Sequence, residues 1–190
     1  MLIWLLWIAV SVLGAVLGAL AAWQVRALGS VHLDLAYAAT VISVLISSAM
    51  QWFLLERYRL DAYWWIPATV VANLIAAIVV IPSVLNVFAP TSGGLISPST
   101  AMLSGAAALA TAGLVVGGAQ ALVLRSSTGN IAWAWIPATM VGGALAGALT
   151  TALSSQLFGF AAFATIGMVA AVGGLLAAAS QAPVLLRILR

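Results

Sequence analysis

Three glutamines, Gln51, Gln120 and Gln181, are the residues of this chain best suited to act together. Each lies near the end of a long apolar run, and an arginine follows within the next six positions. An amide both donates and accepts hydrogen bonds without a charge to desolvate, so three amides around one axis could coordinate a solute or line a pore. The commoner use of such residues is to tie one membrane helix to a neighbour, at about 1 kcal/mol each. We favour this packing role and keep the polar ring as the alternative.

The sequence also predicts roles for two further polar residues, Asn73 and His32. Asn73 lies deep in an apolar run, where an amide is expected to bond across a helix interface. His32 is the only histidine, and one imidazole can supply an axial ligand but cannot form a zinc site, which needs three or four ligands. We therefore expect His32 to be an exposed loop residue and predict no metal site.

Catalysis is not expected. The chain has no cysteine, no lysine, one histidine and three acidic residues, so a nucleophile, base and metal ligand set cannot be assembled. Pumps driven by protons or ions also expect acidic or histidine side chains inside the membrane. The sequence predicts that the protein is not an enzyme and carries no obligatory cofactor.

Three similar five-residue motifs, which we call the tryptophan motifs, each begin with a tryptophan. They are Trp65-Ile66-Pro67-Ala68-Thr69, Trp135-Ile136-Pro137-Ala138-Thr139 and the altered copy Trp7-Ile8-Ala9-Val10-Ser11. Proline in the first turn of a helix removes only a hydrogen bond that would be missing there anyway. Trp7, Trp65 and Trp135 are thus predicted to anchor helix starts at the membrane interface, as in an aromatic belt. The alternative is a stacking surface for a pigment, quinone or lipid.

The elements that must position these residues are membrane helices. The 190 residues are 65% apolar and only 5% charged, with a mean hydropathy of +1.25, whereas soluble domains are about a quarter charged. Each crossing needs roughly 20 apolar residues. We predict an all-α integral membrane protein whose six transmembrane helices lie near 2–24, 36–55, 63–81, 100–124, 132–153 and 160–186. The proline- and glycine-containing stretch 82–99 is predicted to be irregular.

The tryptophan motifs divide this single transmembrane domain, 1–190, into three two-helix hairpins. The repeats are 1–59, 60–127 and 128–190, and they could pack around a pseudo-threefold axis. Small residues four apart, such as Gly14 with Gly18 and Ala72 with Ala76, predict one packing stripe on each odd-numbered helix.

The arginines predict the orientation of the chain in the membrane. Five of the six fall on the side of the two termini and Arg26 alone on the other, which places both termini in the cytoplasm. Because helix ends account for the positive charge, we expect the lipid bilayer and other membrane subunits as partners and no nucleic acid.

Gln51-Trp52, an arginine and then Trp64-Trp65 form a pattern that resembles one in uncharacterised bacterial multi-pass membrane proteins. The resemblance implies a bacterial inner (cytoplasmic) membrane location but no activity and no site residue. The leading hypothesis is a non-catalytic subunit with an assembly, scaffolding or packing role in a larger membrane complex. The alternatives are a small facilitator or channel along the pseudo-threefold axis, and a carrier of a bound lipid, pigment, quinone or other apolar cofactor.

Overall fold

The computed structural model describes residues 2–27, 33–58, 60, 62–88, 97–156 and 162–189, and within these residues it is all-helical, with no strand. The helices are α1 (Leu2–Ala27), α2 (Leu33–Arg57), α3 (Trp65–Ile75), α4 (Ile81–Val87), α5 (Pro98–Thr128), α6 (Trp135–Gln156) and α7 (Ala162–Ile188). A π-helical segment, Ala76–Val80, joins α3 to α4, and a 3₁₀ segment, Gly129–Ala134, joins α5 to α6.

Four helical stretches among the described residues are long and apolar enough to span a membrane. They are Ile3–Ala21, Trp65–Val87, Pro98–Leu153 and Ile166–Ile188. The chain is therefore an all-helical protein whose helices suit a membrane, as the composition predicts. His32 lies outside the described residues.

Local sequence explains where α5 begins and ends. The Ser97 hydroxyl caps α5 by accepting a hydrogen bond from the Thr100 backbone N–H at 3.2 Å, and Pro98 occupies the first turn. At the other end of α5, Gly129 takes a φ of +63°, a conformation that side chains with a Cβ rarely adopt. This glycine turns the chain from α5 into the 3₁₀ segment that leads to α6.

Pro82 does not end its helix, which corrects the prediction that 82–99 is irregular from its first residue. The helix continues to Val87, and the π-helical segment immediately precedes Pro82 at the start of α4. In a regular α-helix the proline ring would clash with the carbonyl of Ile78, four residues earlier. The wider π turn fits this position, because its i→i+5 pattern changes the spacing of the carbonyls before the proline. Residues 89–96 of the same stretch lie outside the described residues.

Helices that follow one another along the chain also pack side by side. Contacts join α1 to α2, α2 to α3, α3 to α5, α5 to α6, α6 to α7 and α7 back to α1, which closes a ring of helices. The α5–α6 pair runs antiparallel, since Gly105 and Gly113 of α5 meet Gly147 and Thr139 of α6. A Cβ added to Gly147 would collide with the Gly105 carbonyl oxygen, so only glycine permits this approach.

The predicted small-residue stripes lie at these helix contacts. Gly14 and Gly18 of α1 face the backbone of Ser47 and Ser43 in α2. Ala72 and Ala76 are almost fully buried. Small side chains let backbones approach closely where lipid gives no hydrophobic drive for helix association.

Candidate functional site

Three fully buried tryptophans meet at one end of the helix ring. Trp7 belongs to α1, while Trp65 and Trp135 are the first residues of α3 and α6, and each has 0% of its surface exposed. The ring centroids are 6.2 Å apart for Trp7–Trp65, 5.5 Å for Trp7–Trp135 and 5.9 Å for Trp65–Trp135. Interplanar angles of 77° to 80° make all three contacts edge-to-face, a geometry worth about 0.5–1.5 kcal/mol per pair beyond area burial. We call this cluster the tryptophan triad.

The prediction that Trp7, Trp65 and Trp135 anchor the membrane interface is wrong. An interfacial anchor exposes its ring to lipid and headgroups, whereas these rings pack against one another and against buried leucines. The neighbouring Trp64, which immediately precedes α3, is 72% exposed and lies outside the core. Trp64 and the similarly exposed Tyr63 are better suited to the interfacial role.

Gln120 links three helices beside the tryptophan triad. Its amide oxygen accepts a hydrogen bond from Trp135 Nε1 of α6 at 2.9 Å, and its amide nitrogen donates to Thr69 Oγ1 of α3 at 3.2 Å. Gln120 itself lies on α5 and is buried. Both ends of the amide are therefore used, so the residue connects α5 to both of its neighbours.

Gln181 makes the corresponding contacts from α7. Trp7 Nε1 of α1 donates to the Gln181 oxygen at 3.3 Å, and the Gln181 nitrogen donates to Thr139 Oγ1 of α6 at 3.1 Å. Thr139 Oγ1 in turn donates to the Trp135 carbonyl at 2.8 Å. Residues 174 positions apart in the sequence are thus joined in one buried network.

Gln51 departs from this pattern. Its amide nitrogen donates to Ser11 Oγ of α1 at 3.0 Å, but the side chain is only partly buried. Trp65 Nε1, the indole group that would correspond to those of Trp7 and Trp135, is buried and has no hydrogen-bond partner among the described residues. A buried donor without a partner costs about 1–3 kcal/mol, so this is the weakest part of the network.

Ser11, Thr69 and Thr139 are functional positions that the sequence analysis missed. Each accepts a hydrogen bond from one of the three glutamines, and each is buried. The sequence contains a signal for them, because these hydroxyl residues occupy the last position of the three tryptophan motifs. A hydroxyl four residues after a tryptophan lies on the same helix face, one turn further along.

Asn73 makes no bond across a helix interface within the part of the chain that the structure describes, contrary to the prediction. Its side-chain nitrogen donates to the Thr69 carbonyl of its own helix at 2.8 Å. A short polar side chain inside a helix often returns to the carbonyl four residues earlier, since this satisfies the donor without a partner helix. Asn73 is partly buried and belongs to neither a polar ring nor a helix tie.

The chemistry available to the site is hydrogen bonding and packing. The tryptophan triad, the three glutamines and the three hydroxyl residues contain amides, alcohols and indoles, none of which ionises near neutral pH. Beyond the triad, Leu55, Leu124 and Leu185 are each at most 2% exposed and fill the same cluster. The arrangement can hold helices in fixed register, but it offers no acid–base pair.

Comparisons with known proteins add no family assignment. No family model matches the chain, and the searches of curated proteins and of solved structures likewise give no match. The class that fold and site define is an all-helical protein with membrane-compatible helices and a buried network of tryptophan, glutamine and hydroxyl side chains.

Proposed function

We propose that the chain is a non-catalytic integral membrane subunit of the bacterial inner membrane, with an assembly, scaffolding or packing role in a larger complex. The observation that carries this proposal is the closed tryptophan triad with its surrounding hydrogen bonds. Its polar atoms are largely used to join helices, and its side chains supply no ionisable group for catalysis. Such a core holds a rigid helical framework together while its outer faces remain available to partners and lipid.

Six crossings follow if the stretch Pro98–Leu153 is two membrane helices. Its 56 residues would extend about 84 Å as one helix, nearly three times the roughly 30 Å hydrocarbon core. Antiparallel packing of α5 on α6 supports two crossings, one for each helix, instead of one long crossing. The remaining crossings are α1, α2, the continuous α3–α4 helix and α7. We place both termini in the cytoplasm, since five of six arginines then lie on that side.

Equivalent contacts in the three hairpins support a pseudo-threefold axis. Each odd-numbered crossing contributes one ring to the tryptophan triad, and each even-numbered crossing contributes one glutamine. The residue four positions after each glutamine is a buried leucine. The residue three positions before each glutamine is small and buried: Ser48, Gly117 and Ala178. A repeat of this kind gives a compact framework from one helix hairpin used three times.

A channel or facilitator along this axis is the less favoured alternative. A solute would have to pass the three indole rings, whose centroids are 5.5–6.2 Å apart and whose faces are covered by one another's edges. One observation favours the alternative: Gln51 is only partly buried, and Trp65 Nε1 has no hydrogen-bond partner among the described residues.

Purified protein in liposomes separates the two functions. The proposed subunit leaves the leakage of small neutral solutes and ions equal to that of protein-free liposomes. Selective, saturable flux would reject the assembly role and favour the channel. Replacing Trp7 and Trp135 with alanine is the positive control, because removing two rings should raise leakage if the triad is the closure.

A further inference from the structure

A second feature, separate from the tryptophan triad, is a groove on the outer surface between α3 and α5. Two adjoining cavities of about 670 Å³ and 370 Å³ form it, and they share Trp64, Ala68 and Ala119 as lining residues. Both volumes lie in the range of roughly 300–1,000 Å³ that is typical of small-molecule sites. Two small alanine side chains, Ala68 and Ala119, line the part that the two cavities share.

The groove differs in polarity between its two ends. At the end near the tryptophan triad, Tyr63 and Ser126 add a phenol and an alcohol to an otherwise apolar lining that includes Leu122 and Val123. At the other end it is lined by Val71, Ile75 and Val115 among other apolar groups. From Ser126 to Val115 along α5 is about 16 Å at 1.5 Å per residue, close to the depth of one leaflet of a roughly 30 Å hydrocarbon core.

A positive charge lies one residue from Ser126 along α5. Arg125 precedes Ser126 in the last turn of α5, is exposed, and has its guanidinium carbon 5.4 Å from the centre of the Trp133 ring. Cation–π contact with Trp133 holds this long side chain near the surface instead of leaving it free. A phosphate at the polar end would lie at the same level along α5 as this cation, one residue from Ser126.

We propose that this groove binds one anionic phospholipid of the surrounding bilayer. One acyl chain lies along Ala68, Ala119 and Val71, and the phosphate lies near Ser126 and Arg125. The inference rests on the proposed membrane location but not on the assembly role. Length, one-sided polarity and the positive charge all favour an amphipathic anion. A partner helix would not need polar groups confined to one end.

Native mass spectrometry of the full chain with added phosphatidylglycerol or phosphatidylcholine tests this site. Val71→Trp fills the groove, and Val141→Trp is its matched control, because the two valines are 56% and 53% exposed and stand six residues after Trp65 and Trp135. We expect Val71→Trp to lower retention of one phosphatidylglycerol at least about fivefold and Val141→Trp to leave it unchanged. Ala119→Leu serves as a second groove variant if Val71→Trp does not fold.

The headgroup is tested by charge removal. Arg125→Gln should lower the preference for phosphatidylglycerol over phosphatidylcholine about fivefold, which corresponds to the about 1 kcal/mol that one basic residue gains near anionic lipid. Arg187→Gln removes an equally exposed arginine from the last turn of α7 and should leave the preference unchanged. Equal retention by the two valine variants, or a preference insensitive to Arg125, would overturn the phospholipid site. Neither result would bear on the flux and topology tests of the proposed function.

Discussion

The indole ring of Trp65 stands edge-to-face against that of Trp135 with 5.9 Å between ring centroids, yet only Trp135 has a partner for its N–H. Trp135 Nε1 donates to Gln120 at 2.9 Å, while Trp65 Nε1 is buried without a partner among the described residues. Packing in the tryptophan triad is thus nearly symmetric, whereas its hydrogen bonding is not.

This difference predicts the order in which phenylalanine is tolerated in the triad. Each Trp→Phe change loses similar ring area, but Trp135→Phe also leaves the Gln120 oxygen without its indole donor. Trp65→Phe removes a donor that has no partner among the residues of the described segments. We expect Trp135→Phe to lower the free energy of unfolding by about 1–3 kcal/mol more than Trp65→Phe. Unfolding of the purified variants in mild detergent measures the difference. Equal losses would mean that Trp65 Nε1 is hydrogen-bonded in the protein.

The Trp135–Gln120 contact should behave as a coupled pair. A double-mutant cycle of Trp135→Phe and Gln120→Leu is expected to give a coupling of about 0.5–1.5 kcal/mol, because each single change already breaks the same hydrogen bond. The cycle of Trp135→Phe with Gln51→Leu is the control, since Gln51 bonds Ser11 instead. A coupling near zero for the first pair would contradict the network.

The close approach of α5 and α6 predicts opposite effects for two glycines. Gly147→Ala places a Cβ against the Gly105 carbonyl and should destabilise the bundle by about 1–3 kcal/mol through overpacking. Gly118→Ala meets nothing within 4 Å and should be neutral or stabilising by up to about 1 kcal/mol from helix propensity. Thermal unfolding of both variants makes the comparison, and a tolerated Gly147→Ala would mean that the helices are further apart.

The proposed six crossings predict which loops face the cytoplasm. The chain has no cysteine, so single cysteines can be introduced without a background. Ser126→Cys and Ser99→Cys lie at opposite ends of α5, and both positions are exposed. An impermeant thiol reagent added to intact cells should label Ser99→Cys and spare Ser126→Cys until the membrane is opened. Labelling of both, or the reverse order, would reject the proposed orientation.

The length of the apolar runs predicted the helices well, because each predicted run is ended by polar, proline or glycine residues. All six predicted runs lie largely within helices of the described structure. Pro82 was misread because local propensity treats proline as a stop, whereas a π turn before it lets the helix continue to Val87.

The site was harder to predict than the helices. An apolar membrane helix gives little amphipathic signal, so the sequence could not tell that Trp65 faces the core and Trp64 the outside. The glutamines were identified, but their partners were not, because the Trp7–Gln181 contact joins opposite ends of the chain. Comparison of the three tryptophan motifs would have revealed the hydroxyls of Ser11, Thr69 and Thr139, since only the final position of the motif is polar in every copy.

The central claim is that the chain serves as a subunit of a larger membrane assembly. Gentle solubilisation of native membranes, followed by separation of intact complexes and mass measurement, tests it most directly. We predict that the 19.4 kDa chain migrates with other membrane proteins in a complex clearly larger than itself. Migration only as a free chain with bound detergent and lipid would contradict the assembly role.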